Sequence, residues 1–277
     1  MNPLSVLFLL VFLYVPCDAF EFEDLSCGYL MRAKTEVSYQ EDEKVYRPRQ
    51  FAPDRLVDVL HLKLDVTPNF RERTVSGTAT LTFKPIALPL KSLRLDQVDL
   101  DIHGVTSSHT IEGYDVTEDA LVITFAEEIS AGDMASVDVH YSAEPKEGLY
   151  FRTRELGYAP GDEHLWSQGA THESRHWYPS FDYPNERFTS EVICHVPKAM
   201  TVLSNGTELT SVVDEATGMR TSHWKQSKPH VNYLVALVAG HLKSVTGKYE
   251  DIPLGLYVQP SQIAEAPNTF VGLEEMM

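Results

Sequence analysis

Positive charge is scarce in this sequence. Lysine and arginine number 23 against 40 aspartate and glutamate residues, a formal net charge of −17. Nucleic acids and anionic membranes are recognised through clustered Lys and Arg, so this balance argues against both as partners. Cysteine is scarcer still, three in 277 residues. Cys17 falls in the leading apolar stretch, which leaves Cys27 in a polar tail and Cys194 in a strand pattern. Those two could pair in an oxidising compartment or remain free thiols, and nothing in their spacing demands a bridge. No P-loop, dinucleotide fingerprint or internal repeat occurs. No stretch before Ser261 sustains a helical period. The one long apolar run, L-S-V-L-F-L-L-V-F-L-Y-V before P-C-D-A, is too short to span a bilayer comfortably. Cys17 and Ala19 supply small residues before a cleavage point, which predicts a signal peptide over 1–19. The mature chain is then exported, secreted or periplasmic, with no membrane contact after cleavage.

What the sequence has in abundance is alternation. Leu60, Leu62, Leu64 and Val66 alternate with His61, Lys63 and Asp65, the period of a half-buried strand. Val75, Gly77, Ala79, Leu81 and Phe83 alternate with Thr74, Ser76, Thr78, Thr80 and Thr82. Shorter runs follow at Leu93–Leu95, Val98–Ile102, Leu121–Phe125, Val137–Tyr141, Ser190–Val196, Thr201–Leu203, Thr221–Gln226 and Pro253–Pro260. Turn signals such as Ser130-Ala131-Gly132-Asp133 separate them. The expected fold is all-β, an antiparallel β-sandwich or set of curled sheets. Val231–Ala239 is apolar without alternation and reads as one strand covered on both faces. Asn205-Gly206-Thr207 reads as a hairpin turn and as an N-glycosylation sequon. An acidic, irregular segment over 20–49 precedes the β-domain, which is expected over 50–258.

The densest chemistry lies between Trp166 and Glu191: W-S-Q-G-A-T-H-E-S-R-H-W-Y-P-S-F-D-Y-P-N-E-R-F-T-S-E. His172, Glu173 and His176 spell H-E-x-x-H, which on a helix puts two imidazoles on one face for zinc, with the glutamate as general base. An autonomous metalloprotease on these three residues is one reading. The local sequence opposes it, because Gly169 and Thr171 precede the motif and Trp177-Tyr178-Pro179 ends any helix at once. No metal is therefore expected on this chain. Trp166, Trp177, Tyr178, Phe181 and Tyr183 crowd eighteen residues, more aromatic surface than one turn-rich segment buries alone. An exposed docking face is expected there, with self-association or a missing catalytic domain as partner.

The same stretch resembles the Q-x-E … R … P-C-x-D-x-P segment of aminopeptidase N-like zinc metallopeptidases. Gln168, Arg175, Pro179, Asp182 and Pro184 match it. Other landmarks fall in the family's order: D-V-L-H-L-K-L-D-V, V-S-G-T-A-T-L-T-F, G-L-Y-F at 148–151, V-L-S-N-G at 202–206 and K-P-H-V-N-Y-L-V-A-L-V-A-G at 228–240. The resemblance implies the non-catalytic N-terminal β-domain of a zinc exopeptidase that removes N-terminal residues from peptides. Gln168 would bind substrate, Arg175, Pro179, Asp182 and Pro184 would shape the segment, and zinc would sit elsewhere in the intact enzyme. No catalytic residue is assigned within this chain. Residues 259–277 would open the catalytic domain, and the family's G-A-M-E-N and zinc-helix segments would lie beyond Met277. Two positions depart from the pattern. Ala170 replaces the glutamate that binds the peptide amine, and Ser180 replaces the cysteine. Ala170 gives weight to a further reading, a stand-alone binding or adaptor domain.

Overall fold

The structure, a computed structural model, describes residues 54–269 and 271–272. The signal peptide expected over 1–19, the acidic segment over 20–49 and Cys27 lie outside the described residues. Strands are numbered in chain order. The largest sheet has seven strands, in spatial order β12 (Thr207–Asp214), β13 (Met219–His230), β10 (Phe188–Pro197), β1 (Val57–Asn69), β2 (Thr74–Pro85), β7 (Ala135–Ala143) and β4 (Leu100–Ser107). A three-stranded sheet runs β3 (Leu90–Asp96), β6 (Ala120–Ile129), β5 (Ile111–Val116). A four-stranded sheet runs β11 (Thr201–Ser204), β14 (Leu237–Gly240), β9 (His164–Ser167), β8 (Leu149–Arg152). The hairpin β15 (Lys243–Tyr249) and β16 (Ile252–Val258) stands by itself. The all-β architecture is the one the alternation predicts. Every pairing is antiparallel except β1 with β10, which runs parallel with Leu62 opposite Ser190 and Leu64 opposite Val192.

The sheets share one core. Val75, Ala79, Leu81 and Phe83 bury the predicted face of β2, while its threonines point outward. Phe83 meets Phe125 of β6 with ring centroids 6.4 Å apart, joining the seven- and three-stranded sheets. Phe151 of β8 meets Phe70 edge-on at 5.7 Å and brings in the four-stranded sheet. Each fully buried aliphatic side chain in this core contributes about 1.5–3 kcal/mol of transfer free energy. Gly77 keeps its place in β2 for a different reason. A Cβ there would lie 2.0 Å from the Asp65 carbonyl oxygen on β1.

Three local expectations are corrected. The alternation of β1 changes phase at an irregularity between Val59 and His61, so Val57 and Val59 point inward and Leu60 does not. A bulge adds one residue to one strand and flips the facing of everything before it. Val231–Ala239 is not one strand. A 3-10 turn occupies Asn232–Leu234 and the strand itself is only Leu237–Gly240, held between β11 and β9. The Asn205-Gly206 turn exists, with Gly206 at φ +83°, but it is no hairpin. It passes the chain from β11 in the four-stranded sheet to β12 at the edge of the seven-stranded one. Asn205 Oδ1 accepts the Ala236 N–H at 2.6 Å, which fixes that corner.

Candidate functional site

β9 ends at Ser167, and the segment that follows leaves the four-stranded sheet and joins the seven-stranded one at Phe188 in β10. Gln168 is the first residue out and is exposed. Its backbone N–H donates to the Gly148 carbonyl at 2.8 Å, which holds the residue against the turn before β8. Gly169 is buried, with room for no side chain: a Cβ would lie 2.8 Å from both the Tyr233 carbonyl oxygen and Ser174 Oγ. This close approach places Gln168 and Ala170, both exposed, on either side of a pinned backbone. Ala170 puts a methyl group where the resembled pattern has a carboxylate, so the site has no negative charge of its own at that point.

Two of the remaining matched residues, Arg175 and Asp182, turn inward and anchor one polar network. Arg175 donates from its backbone N–H and from Nε to Asp182 Oδ2, at 3.2 and 3.1 Å. Asp182 is 1% exposed, so its charge needs compensation on the spot. Asn232 Nδ2 donates to Asp182 Oδ1 at 2.7 Å and to Ser180 Oγ at 3.2 Å, while its Oδ1 accepts the Tyr178 hydroxyl at 2.8 Å. Asp96 Oδ2 accepts the Asp182 N–H at 3.0 Å, and the Asp96 and Ser180 backbones exchange bonds of 2.7 and 3.1 Å. Burial alone would lower the Arg175 pKa. The charges of Asp96 and Asp182 outweigh it and hold the guanidinium raised. Ser180, in the cysteine position, is a buried acceptor in this network. Pro179 is buried and Pro184 exposed beside Glu186, whose buried carboxylate takes a two-pronged bond from Arg55 at 3.0 and 2.7 Å.

The docking face expected at the aromatic cluster is corrected. Trp177 and Tyr178 are fully buried, their rings perpendicular with centroids 4.4 Å apart. Burial also pushes the Tyr178 phenol well up from its usual range. The three-sheet core absorbs what a single segment could not. Of the five rings only Trp166, Phe181 and Tyr183 reach the surface, each half-buried.

The H-E-x-x-H match does not form a zinc helix. Ser174–His176 is a single 3-10 turn. The His172 ring is exposed and lies edge-on to Tyr183 at 5.4 Å. Among the described residues, the group with ligand atoms close enough for one ion is Glu147, Glu173 and His176, without His172. The two histidines of the motif therefore do not fit the shared metal that it requires. Burial, reinforced by the neighbouring Glu147, pushes the Glu173 carboxyl up from the usual range. Asp96, Asn232 and Glu147 were not singled out from sequence. No local signal marks them, because their partners lie 86, 50 and 26 or more residues away.

Residues 58–234 match the family described as the Peptidase M1 N-terminal domain. Leukotriene A-4 hydrolase of Xenopus laevis is 25% identical over 209 residues, covering 71% of this chain and 34% of that protein. The mitochondrial aminopeptidase 2 of Saccharomyces cerevisiae is 26% identical over 227 residues, covering 76% of this chain and 23% of its own length. Among solved structures, a two-domain M1 zinc metallopeptidase bound to L-tryptophan superposes with a TM-score of 0.63 at 20% identity, over 76% of this chain and 49% of that one. The chain thus spans about a third or less of these two curated relatives and half of the solved one.

Proposed function

The chain belongs to the Peptidase M1 N-terminal domain family, and on that premise we propose that it is the non-catalytic β-domain of an exported zinc aminopeptidase. In the intact enzyme it walls the end of the cleft that receives the free amine of a peptide. Gln168 supplies the contact, and the Arg175–Asp182–Asn232 network holds the backbone that presents it. The observation that carries this reading is the position of Gln168: exposed, on a main chain pinned by Gly148 and by the close approach at Gly169. The hydrolytic zinc belongs to the rest of the enzyme, since His172 and His176 do not converge. Export rests on the apolar stretch over 1–19. Ala170 favours a second reading, a stand-alone peptide-binding domain, because it weakens the demand for a free amine.

Peptide titrations followed by NMR shift changes separate these readings. A short peptide with a free N-terminus is expected to perturb Gln168 and its neighbours more than the same peptide acetylated, and Gln168→Ala abolishes the difference. Ala170→Glu restores a charge-assisted bond to the amine and sharpens the preference by about tenfold. Equal binding of both peptides, untouched by Gln168→Ala, would remove the substrate role. No hydrolysis of aminoacyl reporter substrates by the full chain is expected with added Zn²⁺. Turnover that disappears in both Glu173→Gln and His172→Ala would return the activity to the sequence motif.

A further inference from the structure

Glu173 and His176 meet a third group across the fold. Glu147 stands in the turn before β8, and Gly148 presses that turn against the 3-10 segment. A Cβ on Gly148 would come within 2.0 Å of the Glu173 carbonyl oxygen, and its φ is +76°, so only glycine permits the approach. From the other side the Gln168 N–H grips the Gly148 carbonyl at 2.8 Å. Two backbone constraints thus deliver the Glu147 carboxylate to the others.

The distances have the scale of coordination. His176 Nε2 lies 3.4 Å from Glu147 Oε2 and 3.7 Å from Glu173 Oε2, longer than the usual range of about 2.7–3.2 Å for an N–H···O bond. Two ligand atoms each about 2.1 Å from one tetrahedral zinc stand about 3.4 Å apart. One ligand atom from each of the three residues lies within 4.8 Å of the other two. Glu173 Oε2, the atom that faces His176, is buried and has no hydrogen-bond partner. The Glu173 side chain as a whole is 31% exposed, but this one oxygen is out of reach of water and beside a second carboxylate, an arrangement that a cation or a shared proton relieves.

We propose that Glu147, Glu173 and His176 hold a divalent cation of the zinc type. It would clamp the turn before β8 to the segment that carries Gln168. One imidazole nitrogen with two carboxylate oxygens suits zinc better than calcium or magnesium, which favour all-oxygen shells of six or more. Three protein ligands leave a fourth position for water. A dication also balances two carboxylates that have only one imidazole between them. His172 takes no part, so the site differs from the sequence motif in both its ligands and its geometry.

The test is titration of Zn²⁺ into the chelator-treated full chain, read by calorimetry and by thermal melting. Binding of one ion is expected, with Tm rising by roughly 5–10 °C at a hundredfold excess over Kd. Glu147→Gln, Glu173→Gln and His176→Ala should each weaken binding at least tenfold, while His172→Ala leaves it unchanged. Glu147 is 58% exposed, so Glu147→Gln is the variant that folds without doubt about packing. In chelator it should melt no lower than the wild type, because a like charge has gone, yet lose the response to Zn²⁺. Absence of stoichiometric binding by the wild type overturns the proposal. So does binding that survives Glu147→Gln and His176→Ala, or that His172→Ala abolishes equally.

Discussion

Asp182→Ala is the perturbation that separates a structural network from a functional one. The carboxylate is 1% exposed and accepts three hydrogen bonds: two from Arg175, at 3.2 and 3.1 Å, and one from Asn232 at 2.7 Å. Removing it strands a guanidinium that is itself only 16% exposed and a buried amide that loses one of its two acceptors. Asp96 is a poor substitute at 3.9 Å from Arg175, and Arg94 already binds it at 2.6 Å. Breaking one side of such a pair costs about 3–5 kcal/mol. For a domain of this size each kcal/mol is worth about 2–4 °C, so Tm should fall by roughly 6–20 °C. The assay is thermal melting by circular dichroism, repeated by urea titration. A double-mutant cycle adds the control. Arg175→Met with Asp182→Leu removes both charges and should cost less than the sum of its single substitutions. A Tm within 2 °C of wild type for Asp182→Ala, set against the fall of about 6–20 °C expected of a buried pair, would refute the reasoning. So would strict additivity of the cycle. Either result would release Asp182 for a direct role in binding.

Cys194 is fully buried, and burial pushes its thiol up to about 12. Thiol reagents at neutral pH should leave it unlabelled in the native chain and label it in denaturant, as mass spectrometry of a digest would report. His164 is buried, with Nδ1–H donating to the Asp162 carbonyl at 2.7 Å, and burial pushes its pKa down from 6.5 despite that bond. The unfolded chain then binds more protons than the native one below pH about 6.5, so stability present above that value is lost as the pH falls towards the depressed native pKa. Melting temperature should decline between pH 7 and 5.5, and less steeply in His164→Gln. An equal slope in the variant would assign the decline to His61 and His230, which burial shifts in the same direction.

Legibility followed the range of the interaction. β2 was readable residue by residue, because a period of two with one buried face is a property of neighbours along the chain. β1 was readable only as far as its bulge, since the phase change at Leu60 depends on how β2 pairs with it. The ion pair between Arg175 and Asp182 spans seven residues inside one segment, and the resemblance already coupled them. Their other partners, Asn232 and Asp96, come from distant elements with no pattern of their own. The aromatic cluster failed for the same reason. Counting rings within eighteen residues measures what the segment offers, not what three sheets can cover.

By itself the sequence determined the fold class, the faces of regular strands such as β2 and the family segment, all consequences of backbone period and side-chain polarity that act locally. That H-E-x-x-H forms no zinc helix was likewise legible locally, in Gly169, Thr171 and Pro179. The tertiary structure alone decided that Trp177 and Tyr178 are core. It also decided that Glu147 joins Glu173 and His176. Each of these depends on two backbones approaching within a few ångströms across the fold, at Gly148 and Gly169. A glycine in a sequence permits such an approach without saying which chain will make it.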